Sequence, residues 1–138
     1  MIRRLLTAFL ATAALVAFAA DPHTKGPKPL HIAMGEEVNL ADYLVPGKTT
    51  VFDFTSEFCP PCRAIAPQLE KVHATHPDIA VVKVDINRPG VQGIDWKSPV
   101  AKQYKMQSIP HFKVYGPDGK LRAEGKEARP IVTALFEK

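Results

Sequence analysis

Residues 49 to 67 read TTVFDFTSEFCPPCRAIAP, and both cysteines of the 138-residue chain lie in this segment. Its first part, Val51 to Ser56, mixes β-branched and aromatic residues without helical spacing, which predicts a buried strand. The strand is followed by Cys59-Pro60-Pro61-Cys62. Proline is favoured in the first turn of a helix, where a backbone N–H would have no partner within the helix. We therefore predict a strand that runs into a helix capped by Cys59.

The spacing of the two cysteines has a chemical consequence. Side chains three residues apart on a helix lie about 5 to 6 Å apart at Cβ, and a disulfide requires roughly 3.5 to 4.5 Å, so a slight tightening allows the bond. The positive end of a helix favours an anion, and cysteines in such motifs have a thiol pKa of roughly 3.5 to 7.5 instead of about 8.5. Cys59 is therefore predicted to be the exposed nucleophile, and Cys62 the resolving thiol.

Two other interpretations of the cysteine pair stay open. A structural disulfide across so short a loop would stabilise the fold only weakly, because little closure entropy is removed. A zinc site would use His73 and His76, in the pattern C-x2-C-x10-H-x2-H. Both spacings are shorter than in zinc fingers, so we predict no metal and no cofactor besides the redox-active disulfide. The histidines are more simply predicted as solvent-exposed residues that the helix dipole favours.

The segment DFTSEFCPPCRAIAP resembles the active site of the thioredoxin superfamily. The resemblance rests on an acid six residues before the first cysteine, an aromatic residue next to that cysteine, a basic residue after the second and a proline five residues beyond it. These positions are filled by Asp53, Phe58, Cys59, Cys62, Arg63 and Pro67. The family commonly has tryptophan in place of Phe58. Pro60 replaces the glycine of thioredoxin proper, which is more similar to exported thioredoxin-like reductases.

The resemblance implies an α/β, thioredoxin-like fold over residues 30 to 138, with a central mixed β-sheet flanked by helices. The helix after the cysteines should end near His76, because Pro77 disfavours helix in the residue before it. Ile79 to Ile86 is apolar enough for a parallel strand buried on both faces. Further along, His111 to Tyr115 and Lys120 to Glu124 flank a glycine-containing turn and predict a hairpin. A terminal helix is predicted from Pro130.

The resemblance also implies roles for residues outside the cysteine motif. Ile109-Pro110 matches the family's cis-proline opposite the cysteines, although only about 5 to 6% of X-Pro bonds are cis in general. Asp53 resembles the buried acid that helps to deprotonate the inner cysteine, and Lys83 resembles the lysine near that acid. Burial alone makes a carboxylate costly and raises its pKa. The predicted substrate-contacting residues are Phe58, Pro60, Pro61, Ile109 and Pro110.

Residues 1 to 19 predict a secretory signal peptide. Arg3 and Arg4 precede an uncharged run from Leu5 to Ala20, and Ala17-Phe18-Ala19 has the small-x-small pattern of a signal peptidase site. The run is shorter than the about 20 residues that a membrane span requires, which favours a cleaved signal. An uncleaved anchor is the alternative. Residues 20 to 29 contain three prolines and a glycine and are predicted as a linker. We therefore expect a periplasmic or secreted protein.

Composition narrows the class of partner. Cleavage after residue 19 lowers the net charge from +4 to +2, because Arg3 and Arg4 are removed. No basic stripe remains for nucleic acid, and the rest of the chain has the length of one domain. We expect a monomer. Residues 87 to 98 hold the only tryptophan, Trp96, which either packs this loop onto the body or lies at the substrate surface.

These features predict an exported thiol-disulfide oxidoreductase that acts by thiol exchange. Pro60 and Pro61 provide no N–H to the Cys59 thiolate, which leaves chiefly the N–H groups of Cys62 and Arg63 and favours a reductant. The expected partners are protein disulfides and, by resemblance, a membrane thiol transporter as the electron donor. The alternatives are a dithiol oxidase or disulfide isomerase, and a thioredoxin-fold binding module without turnover.

Overall fold

The structure is a computed structural model that describes residues 21–138, and a mixed five-stranded β-sheet forms its centre. The strands are β1 (Leu30–Ile32), β2 (Thr49–Thr55), β3 (Ile79–Asp85), β4 (His111–Tyr115) and β5 (Leu121–Glu124). The helices are α1 (Pro60–Thr75), α2 (Pro99–Gln103) and α3 (Ala128–Thr133). Short 3-10 turns lie at Leu40–Tyr43 and Ala134–Glu137. The predicted mixed sheet with flanking helices is confirmed.

Strand β2 occupies the middle of the sheet, whose order is β1-β3-β2-β4-β5. It pairs in parallel with β3 and antiparallel with β4, so that Val51 lies between Val81 and Val114. A slip of one residue would turn every side chain of β2 to the opposite face of the sheet. Pairing on both edges therefore fixes the position of the segment that follows β2, which carries the cysteines.

The core lies on both faces of this sheet. Phe52 and Phe54 are 0% exposed and pack into one cluster with Val84 and Val100. The second cluster joins β2, β3 and β4 to α1 and α3, and its members include Val51, Leu69, Val81, Phe112 and Val132. Because side chains alternate between the faces of a strand, Asp53 lies on the same face as Val51, the face covered by α1.

Most predicted boundaries agree with the structure. Helix α1 begins at Pro60 with Cys59 as its N-cap and ends before His76, as predicted. Helix α3 begins at Ala128, two residues before the predicted start at Pro130. The reason is that proline is tolerated anywhere in the first turn of a helix, where its missing N–H has no intrahelical partner. Proline therefore marks the first turn but does not fix its first residue.

The prediction that His73 is exposed is wrong. Its side chain is buried with 2% of the residue exposed, Nδ1 accepts a hydrogen bond from the Val81 N–H at 3.0 Å, and Nε2 lies 2.9 Å from the Gly26 carbonyl oxygen. Since Nδ1 accepts, the single proton lies on Nε2 and is donated to Gly26. Burial lowers the pKa of His73, the hydrogen bond to Gly26 acts in the opposite direction, and the charge of Lys25 lowers it further.

Residues 21 to 29, predicted as a linker, contain no helix or strand and lie along the body of the domain. Lys25 Nζ donates to the His76 carbonyl at 2.6 Å, and His23 Nδ1 lies 3.0 Å from the Leu44 carbonyl oxygen. These contacts hold the segment against the domain, and its residue Gly26 is the hydrogen-bond partner of the buried His73.

The predicted signal peptide, residues 1 to 19, and Ala20 lie outside the described residues. Within residues 21–138, no helix combines the length and the apolar composition needed to cross a membrane.

We expect His73→Leu to lower the free energy of unfolding by about 1 to 3 kcal/mol, because the Val81 N–H and the Gly26 carbonyl lose their partner. The folded-state pKa of His73 lies below the ordinary value of 6.5. Its contribution to stability is therefore present above about pH 6.5 and is lost as pH falls toward the folded-state pKa. Urea unfolding of the wild type and the variant between pH 5 and 8 isolates this contribution, because the effects of other titrating groups cancel in the difference. The difference in the free energy of unfolding should grow as pH rises toward 6.5.

The control is His76→Leu, at the half-exposed cap of the same helix. This variant should keep the pH dependence of the wild type. If both variants lost the same part of it, the role of His73 would be contradicted.

Candidate active site

The junction of β2 and α1 holds the two cysteines in a disulfide. Cys59 is the N-cap of α1, and the Cys62 N–H donates to its sulfur at 3.3 Å. The Cα atoms are 5.2 Å apart, which is within the usual range for disulfides. Cys59 and Cys62 are each 1% exposed, so the expected difference in exposure is absent in this oxidised form. The residues between them, Pro60 and Pro61, are exposed.

The backbone donor expected from Arg63 does not reach the sulfur. The Arg63 N–H donates to the Cys59 carbonyl at 3.1 Å, because this bond is the first i to i−4 bond of the helix. Proline has no N–H, so Pro60 and Pro61 contribute none. Within residues 21–138, the Cys62 N–H is thus the backbone donor that meets Cys59 Sγ.

A turn built on Ser56 joins β2 to the cysteines. The Ser56 carbonyl accepts from the Cys59 N–H at 3.1 Å, and Ser56 Oγ accepts from the Phe58 N–H at 3.1 Å. Ser56 Oγ donates in turn to Asn87 Oδ1 at 2.6 Å. Sequence reasoning did not single out Ser56 or Asn87. A serine directly after a strand is a recognisable signal for such a turn, since its hydroxyl can bond the backbone two residues on.

The loop of residues 87 to 98 is fastened to this turn through Asn87. Asn87 Nδ2 donates to the Gly93 carbonyl at 2.7 Å, and Asn87 Oδ1 accepts from the Asp95 N–H at 3.1 Å. Asp95 also forms an ion pair with Arg88 at 2.7 Å. Trp96 follows this network and is 41% exposed. The loop is thus ordered by polar contacts, and burial of Trp96 is not what holds it.

The Ile109–Pro110 peptide bond is cis, as the resemblance implied. The carbonyl oxygen of Ile109 lies 3.7 Å from Cys59 Sγ. Pro110 is buried, and its own carbonyl accepts a hydrogen bond from Arg129 Nη2 on α3 at 3.2 Å. The loop is therefore held between α3 and the outer sulfur of the disulfide.

Asp53 lies on β2 with 1% of the residue exposed, and its Oδ1 has no hydrogen-bond partner among residues 21–138. Burial raises the pKa of Asp53 to about 7, and the charge of Lys83 opposes this rise. A carboxyl that titrates near neutral pH can both accept and return a proton under physiological conditions. The predicted burial of this acid is confirmed, and its environment fits proton transfer.

Lys83 lies directly opposite Asp53 in the register of β3 and β2. Its ammonium group, however, pairs with Glu70 on α1, with Nζ 3.1 Å from Oε1. Lys83 and Cys62 both line a cavity of about 170 Å³ beside the disulfide. Lys83 thus influences Asp53 through its charge, while its hydrogen bond is used by Glu70.

The described part of the chain, residues 21–138, contains no cluster of three or more His, Cys, Asp or Glu side chains suited to a metal ion. The zinc interpretation required His73 to join the cysteines. His73 is instead bonded to Gly26 and Val81, and the cysteines are bonded to each other. The site consists of a dithiol/disulfide pair and a buried acid, and these groups can carry out thiol exchange.

The sequence model of the Thioredoxin family matches residues 36–135. The chain belongs to the thioredoxin family. A thioredoxin of Chlamydia trachomatis is 35% identical over 102 residues, which cover 72% of this chain and 90% of that protein. An H-type thioredoxin of Fagopyrum esculentum is 35% identical over 88 residues, which cover 64% of this chain and 63% of that protein. Thioredoxin H3 of Arabidopsis thaliana is 35% identical over 75 residues, covering 54% and 56% of the two chains. The chain thus spans only 56% to 63% of the length of these two plant thioredoxins.

Solved thioredoxin structures share the fold. Thioredoxin f from spinach chloroplast, in its short form, has a TM-score of 0.53 at 23% identity and covers 83% of this chain and 96% of its own. A thioredoxin from Trypanosoma brucei brucei has a TM-score of 0.55 at 20% identity and covers 80% and 88%. At these identities the likeness concerns the fold alone. The predicted thioredoxin-like fold is confirmed.

We expect Asp53→Asn to raise the free energy of unfolding at pH 8 by about 2 to 4 kcal/mol. The carboxyl is destabilising when ionised because burial raises its pKa from the ordinary value of 3.8 to about 7, a difference worth about 4 kcal/mol. The folded state therefore keeps the proton of Asp53 to higher pH than the unfolded state does, and the contribution of Asp53 to stability should fall as pH rises from about 4 through 7. Urea unfolding across this range should show Asp53→Asn gaining stability over the wild type as pH rises, since the other titrating groups contribute equally to both proteins.

Asp78→Asn is the matched control, since Asp78 is exposed and surface substitutions usually change stability by less than about 0.5 kcal/mol. A loss of stability in Asp53→Asn at pH 8 would contradict the assignment of Asp53 as an unpartnered acid.

Proposed function

We propose that this member of the thioredoxin family is an exported thiol-disulfide oxidoreductase that reduces disulfides in proteins. The observation that carries the proposal is the Cys59–Cys62 disulfide at the start of α1, with the Ile109 carbonyl 3.7 Å from the outer sulfur. A purely structural disulfide across so short a loop would contribute little to stability. It would also need no buried acid on the strand that leads to it.

The reaction takes two thiol exchanges. The Cys59 thiolate, favoured by the Cys62 N–H and the helix N-terminus, attacks a disulfide of the substrate. A bond forms between Cys59 and one substrate sulfur, and the other substrate sulfur leaves as a thiolate. Cys62 then loses its proton and attacks Cys59 Sγ, which forms the Cys59–Cys62 disulfide and releases the second substrate thiolate. Two electrons have passed to the substrate.

Asp53 is the group that we assign to accept the proton of Cys62. It lies in the strand that leads to the cysteines, and its pKa of about 7 is well matched to a general base at neutral pH. The charge of Lys83 favours the ionised form of the carboxyl, in opposition to burial. Together these effects keep part of the Asp53 population ionised and able to take the proton.

The surface around the disulfide supplies the contacts for a substrate. Pro60 and Pro61 are exposed, Phe58 and Ile109 are half-buried, and Pro110 is buried. Such a mostly apolar rim would exclude water from the sulfur atoms during exchange while it adapts to different protein sequences. We assign these five residues to substrate contact.

Export is supported by residues 1 to 19, which have the composition of a signal peptide. In an oxidising compartment the dithiol would not stay reduced without a source of electrons. A membrane thiol transporter would supply them in this proposal. A thioredoxin f2 that shares this fold has been crystallised in a complex with ferredoxin:thioredoxin reductase.

Cys62→Ser should trap substrates, because Cys59 can form the mixed disulfide and nothing can then displace it. Cells expressing the variant should yield disulfide-linked protein adducts that dithiothreitol reduces. The released proteins can be identified by mass spectrometry. Cys59→Ser is the matched control and should yield far fewer adducts, since the attacking sulfur is gone. Equal adducts in the two variants, or none with a reactive Cys59, would contradict protein disulfide exchange.

The redox potential tests the direction of the reaction. A single backbone donor to Cys59 Sγ means a weakly stabilised thiolate, so we expect a value nearer to about −270 mV, that of thioredoxin, than to about −120 mV, that of a strong oxidant. Pro61→His should raise the potential, because a histidine can stabilise the thiolate. Equilibration with glutathione buffers, read by thiol alkylation, measures both proteins.

Pro46→His serves as the control for the potential, because Pro46 is an exposed residue that precedes β2. Its potential should equal that of the wild type. A wild-type potential above about −180 mV, the value of the disulfide isomerase class, would favour the oxidase instead.

A further inference from the structure

A cavity of about 260 Å³ opens beside the cis Ile109–Pro110 bond. Its wall is built by the segment that precedes this bond, by the start of β4 and by the loop between β5 and α3. The charged side chains in the wall are Lys105, Lys126 and Arg129, joined by His111, and no aspartate or glutamate contributes to it. We call this feature the basic cavity.

The positive charge of the basic cavity is not neutralised by the protein itself. Lys105, Lys126 and Arg129 take part in none of the ion pairs found in residues 21–138. Arg129 donates to the Pro110 carbonyl at 3.2 Å, and this acceptor carries no net charge. The three side chains are exposed and available to an anion from outside.

Glu124, the carboxylate that contacts the cavity residue His111, is already engaged. Glu124 Oε1 lies 3.2 Å from His111 Nε2 and 3.1 Å from Lys113 Nζ. Burial raises the pKa of Glu124, but the hydrogen bonds and the charges of Lys113 and His111 together outweigh burial and hold the pKa below its usual value. Glu124 is therefore a satisfied anion, and it leaves the lysines and Arg129 unpaired.

The basic cavity adjoins the redox centre. Pro110 belongs to its wall, and the carbonyl oxygen of the preceding residue, Ile109, lies 3.7 Å from Cys59 Sγ. An extended peptide advances about 3.3 Å per residue. A substrate whose sulfur meets Cys59 therefore brings side chains one to three residues away within reach of this cavity.

We propose that the basic cavity binds an acidic side chain of the substrate protein, one to three residues from the substrate's disulfide cysteine. Lysine and arginine form charge-assisted hydrogen bonds with carboxylates, and a cavity of about 260 Å³ has room for such a side chain. The effect is preference for protein disulfides with acidic neighbours. This inference rests on the proposed function, since it concerns the substrate of the same site.

The test compares peptide disulfides that differ only in carrying Glu, Gln or Lys two residues from the cysteine. The full chain is reduced beforehand, and the second-order rate constant of its oxidation by each peptide is measured by acid quenching and mass spectrometry. An exposed ion pair changes an equilibrium by a factor of roughly 1.5 to 5. With two lysines engaged, the Glu peptide should react about three- to tenfold faster than the Gln peptide, and the Lys peptide slower than both.

The variant K105E/K126E should lose or reverse this ranking. Its matched control is K71E/K120E, which makes the same change in net charge. Lys71 lies on α1 about 18 Å along the helix from Cys59, and Lys120 follows the β4–β5 turn at the opposite end of the sheet from Pro110. The control should keep the wild-type ranking. The melting temperature of each variant reports whether it folds.

Each other outcome overturns the inference in a distinguishable way. If the wild type reduces the three peptides at equal rates, the basic cavity does not select acid and the proposed function stands. If no peptide is reduced, the proposed function itself fails. An equal loss in K71E/K120E would assign the preference to the overall field of the protein. Oxidised glutathione is a further probe: if K105E/K126E slows glutathione but no peptide, the basic cavity serves a small thiol. If K105E/K126E does not fold, the ranking of the wild type together with that of K71E/K120E still decides the inference, because a general field effect would weaken the ranking in K71E/K120E.

Discussion

Strand β2 is hydrogen-bonded along both edges, in parallel with β3 and antiparallel with β4, and the geometry of the redox site depends on this double pairing. The carboxyl ends of parallel strands lie at one edge of a sheet, so the residues after β2 and β3 meet there, and Ser56 bonds Asn87 at 2.6 Å. Strand β4 runs in the opposite direction and therefore begins at that edge, which brings Pro110 to the cysteines. Three segments that are distant in sequence converge because of one strand.

The sequence predicted this site well where local preference and tertiary environment agree. The two prolines after Cys59 favour a helix that begins at Pro60. The buried strand β2 ends shortly before Cys59, so the tertiary structure places the start of the helix at the same residues. His73 is the residue whose burial the helix-dipole argument did not predict. Together with Leu69 and Val72 it forms the i, i+3, i+4 stripe of a buried helix face, and this spacing indicates that His73 is buried. Its partner Gly26, however, lies 47 residues away in the chain, and no periodicity predicts that contact.

Other details were beyond the sequence because two partners compete for one group. The Arg63 N–H could bond either the Cys59 sulfur or the Cys59 carbonyl, and the regular helix takes it for the carbonyl. Lys83 lies opposite Asp53 in the sheet, yet its long side chain reaches Glu70 on α1. Strand register determines which Cα atoms are neighbours. It does not determine where a flexible ammonium group ends, since that depends on the packing of a separate helix.

Asp53 lowers the stability of the fold when it is ionised, and the same burial gives its carboxyl a pKa that suits proton transfer. Buried polar atoms nearly always have a hydrogen-bond partner, and the unpartnered Oδ1 of Asp53 departs from this rule in the buried middle of β2. An apolar residue or an amide at this position would stabilise the fold more. The same burial that destabilises the carboxylate brings its pKa to about 7, which divides the group between acid and base at neutral pH. A partner that donated a hydrogen bond to Oδ1 would stabilise the carboxylate and would return its pKa toward the ordinary value of 3.8.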